Sequence, residues 1–401
     1  MTIRLRVALV AACVVHAAPV LSQATPLSRA DAVRSALTQG ARLGVARADS
    51  LLASAQVALA RTRPNPGLSL SYSKSVPTYH ALVDIPLEFP GIRSLRIRAA
   101  EIGAQAADLR NQFVRASIAL DADTTYTQAV AARERLVLST RNARDADSLL
   151  HMVERRQSAG DASDMDVELA RVNAGQQANV QVGDSLTLVS SLLDLQAVLG
   201  MTDQRLAIAV TDSLTMPADA ATPGTTLSET AASLAYESAT LAARLQRRSI
   251  WSSPSLSFGF DTGDPDQTGL LPVFGIGIGL PLFDRNRAGI AQAEAERARA
   301  AAELTLAQVE ARTEIARAVR ERQTAMSRVQ RDQVLVTSAN RVAAMSLTGY
   351  REGAFSLPNV LEAQRNARDV LTQYIDDLAA AWIATAELRV LALPPAPTGK
   401  P

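Results

Sequence analysis

Aromatic residues, histidine and cysteine are all scarce in this 401-residue chain. Phe, Trp and Tyr together make up 4% of the residues, although 47% of the chain is hydrophobic. Alanine supplies much of that apolar content, which favours close packing between helices over a core of bulky side chains. The 41 basic and 40 acidic residues leave a net charge of +1. No strong positive field therefore favours nucleic acid as a partner.

The single cysteine, Cys13, lies in a segment typical of a secretory signal peptide. Two arginines precede an apolar run at residues 7–15, and small residues follow at a suitable cleavage position, so we expect residues 1–24 to be removed. The mature chain would then form no disulfide. Residues 10–13, Val-Ala-Ala-Cys, are also compatible with a lipoprotein processing site, and the sequence leaves this alternative open. No other stretch has 18 uninterrupted apolar residues, so no transmembrane helix is predicted.

Signatures of catalysis and of metal binding are missing as well. The three histidines, His16, His80 and His151, are far apart in the sequence, and no His-x-x-x-His motif exists. The alternating glycines at 275–279 fall inside a strand pattern rather than in a phosphate-binding loop. Asp376 and Asp377 lie on a helix crowded with other charges, and we interpret them as part of a solvated face. The sequence therefore predicts no enzyme, no cofactor and no fixed metal site.

A duplicated pattern of helix, strand, strand, long helix, tight turn and helix organises the chain. Three Pro or Gly residues that mark breaks and turns in the first half recur in the second half, at separations of 188, 195 and 193 residues. Such agreement indicates an internal repeat. The matched pairs are Pro66 with Pro254, Pro86 with Pro281, and Gly160 with Gly353.

The two long helices are the most unusual predicted elements, since about 60 proline-free residues would span about 90 Å. The first helix of the chain is predicted over 26–63, with Ser28 as its N-cap. The predicted order is signal peptide 1–24; first repeat 25–200, with strands 67–74 and 80–87, long helix 92–157 and return helix 161–199; linker 201–226; second repeat 227–393, with strands 255–261 and 272–280, long helix 288–348 and return helix 357–393; and disordered tail 394–401.

The second long helix carries only a narrow apolar stripe, whose spacing of 4, 7, 3 and 7 residues is typical of coiled-coil packing. Its many Arg and Glu residues are incompatible with lipid. We therefore expect this helix to lie in water and to pack along one seam. The stripe consists of Ile315, Val319, Met326, Val329 and Val336.

The four strands alternate large apolar residues with Ser, Gly and other small or polar residues. Such alternation is typical of a membrane barrel with a polar lumen, although two hairpins capping a soluble bundle are also compatible with it. In lipid the strands must close without edges. The four strands of one chain cannot close a barrel of useful width, which implies that several copies form a closed cyclic oligomer. The candidate lipid-facing residues are Leu68, Leu70, Tyr72, Leu256, Phe258, Phe260, Phe274, Ile276, Ile278 and Leu280.

The repeat and two motifs of the second half resemble the TolC-like outer membrane efflux proteins. The motifs are Pro-Leu-Phe-Asp-Arg-Asn-Arg at 281–287, running into an Ala/Glu-rich helix, and Gly-Tyr-Arg-Glu-Gly-Ala-Phe-Ser at 349–356, followed by Asn-Val-Leu-Glu-Ala-Gln-Arg at 359–365. Residues 63–68 and 89–93 are similar to the heavy-metal branch of that family, typified by CzcC and CusC. Pro90 stands where that branch often has Gly-Gly-Lys-Arg.

This resemblance implies a mainly α-helical homotrimer with a membrane β part. Four strands from each chain would form a twelve-stranded barrel in the outer membrane, joined to a long periplasmic α-helical barrel. The turns at the far end would form the entrance and meet a periplasmic adaptor bound to an inner-membrane pump. The channel would conduct passively, with heavy-metal ions as possible cargo. A periplasmic coiled-coil scaffold or adaptor without a pore is the alternative.

The resemblance places eight candidate residues at the entrance and at the contact with the adaptor. In a cyclic trimer the charged members would form rings of charge that filter the passing solutes or hold the entrance closed. For the aspartates, simple capping of a helix start is an equally good explanation. The candidates are Gly160, Asp161, Asp164, Tyr350, Arg351, Glu352, Gly353 and Phe355.

Overall fold

Two long helical hairpins and a four-stranded sheet dominate the computed structural model, which describes residues 25–39, 41–201, 208–219, 223–250 and 253–394. The predicted signal peptide, Cys13 and the predicted tail beyond residue 394 lie outside the described residues. The helices are α1 Arg29–Gln39, α2 Ala41–Arg61, α3 Ile92–Ser158, α4 Asp164–Leu199, α5 Leu227–Arg248, α6 Arg287–Arg351 and α7 Leu357–Leu391. The strands are β1 Thr25–Leu27, β2 Gly67–Tyr72, β3 Tyr79–Pro86, β4 Ile208–Val210, β5 Ser255–Thr262 and β6 Leu271–Gly277.

The ends of the elements differ from the predicted ones where a specific contact stops them. Helix α4 begins at Asp164 rather than at 161, because Ser163 is its N-cap. The Ser163 hydroxyl accepts the Asp166 N–H at 3.2 Å, and the Asp166 carboxylate accepts the Ser163 N–H at 3.1 Å, which completes a capping box. Strand β6 ends at Gly277 rather than at 280. Its last partner is Ser255, and Pro254 before it has no N–H to donate.

The predicted first helix, 26–63, is divided into a short strand and two helices. Strand β1 pairs in parallel with β4, which lies inside the predicted surface linker 201–226. Ile208 and Val210 of β4 are buried in the main hydrophobic core together with Tyr126, Leu195 and other residues of α1, α3 and α4. Strand β4 of the predicted linker is therefore part of the core. Three residues of Ile-Ala-Val are too short a pattern to predict a strand.

Tyr126 lies at the centre of this core and joins α3 to the linker. Its ring is fully buried, and its hydroxyl lies 2.7 Å from an Asp212 carboxylate oxygen and 2.9 Å from the Leu27 carbonyl oxygen. The Arg29 guanidinium lies over the rings of Tyr126 and Trp382, at 5.3 and 4.1 Å from their centroids. Arg29 also forms an ion pair with Asp123. These contacts hold α1, α3, α7 and the linker together near the middle of the helices.

Alanine supplies most of the buried apolar positions of the second long helix. The residues of the predicted coiled-coil stripe are only half-buried, except for Val329. The buried positions next to the stripe mainly carry small side chains. Small side chains allow neighbouring helices to approach closely, so the polar remainder of α6 can stay in water. The buried apolar residues of α6 before the final turns are Ala293, Ala300, Ala311, Ala318, Ala325 and Val329.

Helix α4 is the one helix of the described chain that is long and apolar enough to cross a membrane. The sequence prediction required 18 uninterrupted apolar residues, whereas α4 reaches this hydropathy as an average over a window that includes polar residues. The helix packs lengthwise against α3, which carries charged residues along its whole length. Most of the apolar side chains of α4 are exposed in the single chain, including Val180, Val182 and Leu186. Among the described residues this face lacks a partner.

We predict that Tyr126→Phe destabilises the folded chain by about 1.5–3 kcal/mol, because the hydroxyl is hydrogen-bonded to a carboxylate inside the core. The measurement is the urea dependence of unfolding of the detergent-solubilised protein. Tyr236→Phe is the matched control, since its hydroxyl makes no hydrogen bond within the described residues. Equal unfolding midpoints for the wild type and Tyr126→Phe would contradict the proposed role of the hydroxyl.

Candidate functional site

The four-stranded antiparallel sheet has the order β2-β3-β5-β6, so its centre joins the first repeat to the second. Leu68 pairs with Val83, Val83 with Phe258, and Phe258 with Phe274, which places large apolar side chains in one row. All ten candidate lipid-facing residues are exposed, with Phe274 at 81%. Ile278 and Leu280 continue this run beyond the end of β6. No described part of the chain covers this apolar face, and an exposed apolar surface of this size is typical of an interaction site.

The opposite face of the sheet carries mainly small and polar residues, together with Leu82, Leu271 and Val273. Its charged and titratable groups are His80 and Asp84 on β3 and Asp261 on β5, and the four strands contain neither Lys nor Arg. His80 Nδ1 lies 2.8 Å from Asp261 Oδ1, and the Ser257 hydroxyl bonds to the Asp84 carboxylate. Both contacts connect β3 with β5. Polar side chains therefore link the two repeats on this face.

The sheet is open at both edges. Strands β2 and β6 each have a single neighbour among the described strands, so the outer N–H and C=O groups of each lack a strand partner. Such an edge readily pairs with another chain. The sheet of the single chain is therefore unclosed, with free edges as well as an exposed apolar face.

The far ends of the two helical hairpins have the same backbone structure. In the turn after α3, Gly160 has φ 85° and the Asp161 N–H donates to the Arg156 carbonyl at 2.8 Å. In the turn after α6, Gly353 has φ 79° and the Ala354 N–H donates to the Gly349 carbonyl at 2.7 Å. Both are Schellman motifs, which require a left-handed residue after the helix. The two glycines thus fix the turns and carry no side-chain chemistry.

The charged candidates at the tips are exposed. The Asp164 carboxylate accepts a hydrogen bond from the Gln157 amide at 2.7 Å. Asp164 is in the first turn of α4, where its charge favours the helix dipole, whereas Ser163 is the N-cap. Arg351 and Glu352 form no ion pair within the described part of the chain. Asp161 is also exposed, and Phe355 is half-exposed. These side chains are therefore available to a partner.

Tyr350 is the exception among the candidates at the tips, because only 5% of it is exposed. Its carbonyl accepts a hydrogen bond from Arg156 Nη1 at 2.6 Å, and its ring lies 4.7 Å from the Arg156 guanidinium. Burial raises the pKa of its phenol. Tyr350 therefore joins the two hairpins and is not a surface contact. Arg156, which the sequence reasoning missed, lies 194 residues away, and no local pattern connects the two.

A pair of buried carboxyl groups lies between α6 and α7. Asp332 is 8% exposed and Asp377 is 5% exposed, so the expectation that Asp376 and Asp377 form a solvated face was wrong for Asp377. Asp376 is paired with Arg135 of α3. Burial, and then the neighbouring Asp377, raise the pKa of Asp332. The Arg328 guanidinium compensates only partly, at 3.7 Å from Asp377.

The described residues contain no group of three or more His, Cys, Asp or Glu side chains that could hold a metal ion. The candidate features of the structure are the two faces of the sheet and the tips of the helical hairpins.

The sequence model of the family described as "Outer membrane efflux protein" matches residues 32–201 and 231–392. The chain is 26% identical over 345 residues to the cobalt-zinc-cadmium resistance protein CzcC of Cupriavidus metallidurans, covering 82% of this chain and 81% of that one. It is 26% identical over 232 residues to the nickel-cobalt-cadmium resistance protein NccC of Alcaligenes xylosoxydans xylosoxydans, covering 56% and 52% of the two chains. A crystal structure of CusC has the same fold, with a TM-score of 0.76, 18% identity and 91% coverage of each chain.

We predict that Asp332→Asn stabilises the protein near pH 8. A carboxyl whose pKa is raised on folding loses stability as the pH rises above its unfolded value, about 3.9, and through its folded value. The amide removes this loss and leaves the pair of Arg328 and Asp377 intact. The advantage of the variant should therefore grow with pH and then level off.

Thermal unfolding of the two proteins between pH 5 and 8 measures this difference. Asp369→Asn is the control, because its carboxylate is exposed on the same helix as Asp377. A lower midpoint for Asp332→Asn than for the wild type at pH 8 would show that the buried carboxylate is fully compensated.

Proposed function

The chain belongs to the outer membrane efflux protein family, and from this membership we propose that it is the outer-membrane channel of a tripartite system that exports divalent heavy-metal cations. It is an efflux channel with a large periplasmic helical part. The metal cargo is proposed because two relatives that the chain matches bear the names of cobalt, cadmium, zinc and nickel resistance.

The open sheet with one apolar and one polar face is the observation that carries the channel proposal. In lipid every backbone polar group needs a partner, so the free edges of β2 and β6 must pair with other strands. Three copies of a four-stranded sheet give twelve strands, an even number within the range of closed outer-membrane barrels. The apolar face, with Phe258 and Phe274, would face lipid, and Asp84 and Asp261 would face the lumen.

The helices support the same trimer. The uncovered apolar side chains of α4 and those of α6, such as Val309 and Val342, are exposed in the single chain. In a trimer, α4 of one subunit and α6 of the next would cover each other. The polar faces of the helices would then line a water-filled tunnel below the barrel. This arrangement would also explain why α4 meets a hydropathy criterion for a membrane helix without entering lipid.

The two tips are proposed as the tunnel entrance and the docking site of a periplasmic adaptor. Asp161, Asp164, Arg351, Glu352 and Phe355 remain the candidates for these contacts. Tyr350 contributes by connecting the hairpins through Arg156. The chain itself would perform no chemistry, and an inner-membrane pump would supply the energy.

Cell fractionation followed by planar-bilayer conductance tests the proposed channel. We expect recovery from the outer membrane as a heat-sensitive trimer with discrete ionic conductance. In cells, deletion of the gene should increase sensitivity to Co²⁺, Zn²⁺ or Cd²⁺, and the wild-type gene should restore resistance. A soluble periplasmic protein without conductance would instead support the scaffold alternative.

Two substitutions on opposite faces of the sheet test the assignment of the faces. Phe258→Lys places a charge on the apolar face and should cost about 2–4 kcal/mol of membrane stability near the bilayer midplane. Ser69→Lys is the control on the polar face, because Ser69 is exposed and its hydroxyl makes no hydrogen bond within the described residues, and it should insert normally. The readout is the amount of heat-sensitive trimer in the outer membrane. Equal loss in both variants would contradict the assignment of lipid and lumen.

Arg351→Ala and Asp164→Ala test the tips. We expect each to raise passive conductance or to weaken binding of the adaptor, because each removes one exposed charge per subunit from the entrance. For Asp164 the loss of its favourable interaction with the dipole of α4 alone would lower thermal stability without changing conductance. Unchanged conductance and unchanged adaptor affinity in both variants would remove these residues from the proposed entrance.

A further inference from the structure

His80 is the one histidine among the four sheet strands, and it lies on their polar face. Its partner in the register of β3 and β5 is Asp261. The imidazole Nδ1 and the carboxylate Oδ1 are 2.8 Å apart, and the side chain of His80 keeps 25% exposure. The pair is therefore partly exposed on the polar face of the sheet.

The carboxylate decides which imidazole nitrogen is available. An ionised Asp261 accepts hydrogen bonds and cannot donate them, so Nδ1 of His80 carries the proton. The lone pair of the neutral ring then lies on Nε2, which has no hydrogen-bond partner within the described residues. A carboxylate on one nitrogen that frees the other for a metal is the usual arrangement around metal-binding histidines, where it fixes the ring and raises its basicity.

The surrounding charge also favours cations. Asp84 lies four residues along β3 from His80, about 13 Å away, on the same face. The strands contribute no Lys or Arg to compensate either carboxylate. Ser71, which pairs with His80 from β2, adds a neutral hydroxyl. Each chain thus presents one oriented imidazole and two carboxylates to the polar face.

We propose that His80, oriented by Asp261, is a transient binding site for divalent transition-metal ions in the lumen of the barrel. Imidazole suits Zn²⁺, Ni²⁺ and related borderline ions, whereas Mg²⁺ and Ca²⁺ take oxygen ligands. This inference rests on the proposed function, because the polar face must line a water-filled pore for the ions to reach Nε2.

The small number of ligands fits passage rather than storage. A structural zinc site uses four protein ligands, and a catalytic site uses three. One imidazole, with water completing the coordination, binds an ion weakly enough for it to leave. Conduction needs such sites, since an ion must be attracted into the pore and then released. The site would be the last imidazole that exported metal meets before the outside.

The test is single-channel conductance of the purified full-length protein in KCl, with ZnCl₂ added from micromolar to millimolar concentrations. We expect Zn²⁺ to lower the wild-type current in a concentration-dependent manner, while MgCl₂ has little effect. His80→Asn should shift the half-effect to at least tenfold higher Zn²⁺. Asp261→Asn should shift it by about 10-fold or more, because the imidazole loses its orienting partner.

His151→Asn is the matched control, because His151 lies on the exposed surface of α3 beside Asp147 and Glu154. It should leave the Zn²⁺ response unchanged. A wild-type current insensitive to Zn²⁺, or a His80→Asn response equal to that of the wild type, would overturn the proposed site. Loss of the response in His151→Asn alone would place the site on α3 and would also overturn it.

Calorimetric titration of the same detergent-solubilised proteins with ZnCl₂ separates this inference from the proposed channel. Zn²⁺ binding that is weakened in His80→Asn, in a protein that passes no current, would support the site and contradict the channel. A conducting wild-type protein whose Zn²⁺ binding and current do not depend on His80 would support the channel and contradict the site.

Discussion

An unclosed sheet is the constraint on which the rest of this structure depends. Four strands expose an apolar face and leave the outer edges of β2 and β6 without partners. In water this arrangement would aggregate, and in lipid the unpaired backbone groups would each cost several kcal/mol. Closure with copies of the same sheet satisfies both requirements. The duplicated chain supplies four strands from two β-hairpins, β2-β3 and β5-β6. The contacts of His80 with Asp261 and of Asp84 with Ser257 hold these two β-hairpins together.

Two helices of 67 and 65 residues extend from this sheet. At 1.5 Å per residue they span about 100 Å. In the proposed tunnel these helices would form a wall one helix thick with water on both sides, and such a wall cannot have a bulky core. Alanines at the buried positions of α6 meet this condition, because they bury little area yet permit close approach. The larger core around Tyr126 lies where the linker crosses α3, and it locks the two repeats together midway along the helices.

The charged groups inside the structure are compensated to different degrees. Arg29 is compensated by Asp123 and by two aromatic rings, and it fastens the core. Asp332 and Asp377 instead face each other between α6 and α7, with Arg328 as a partial partner. At the tips, Arg156 uses its charge to connect the hairpins through Tyr350, while Arg351 and Glu352 stay exposed. Stability is thus concentrated in the core and at the hairpin contact, and the exposed charges are left for partners.

Local patterns in the sequence determined most of the fold. Period-two alternation gave the four strands of the sheet, proline-free stretches gave the long helices, and Gly160 and Gly353 gave the turns, because each depends on residues close together in the chain. The tertiary structure alone decided the pairing of β1 with β4, the bond of Tyr126 with Asp212, the burial of Asp377 and the contact of Arg156 with Tyr350. These join residues from 45 to almost 200 positions apart, where no local period relates one side chain to another. His80 could be found in the sequence, but its role depends on Asp261, which only the strand register brings within 2.8 Å.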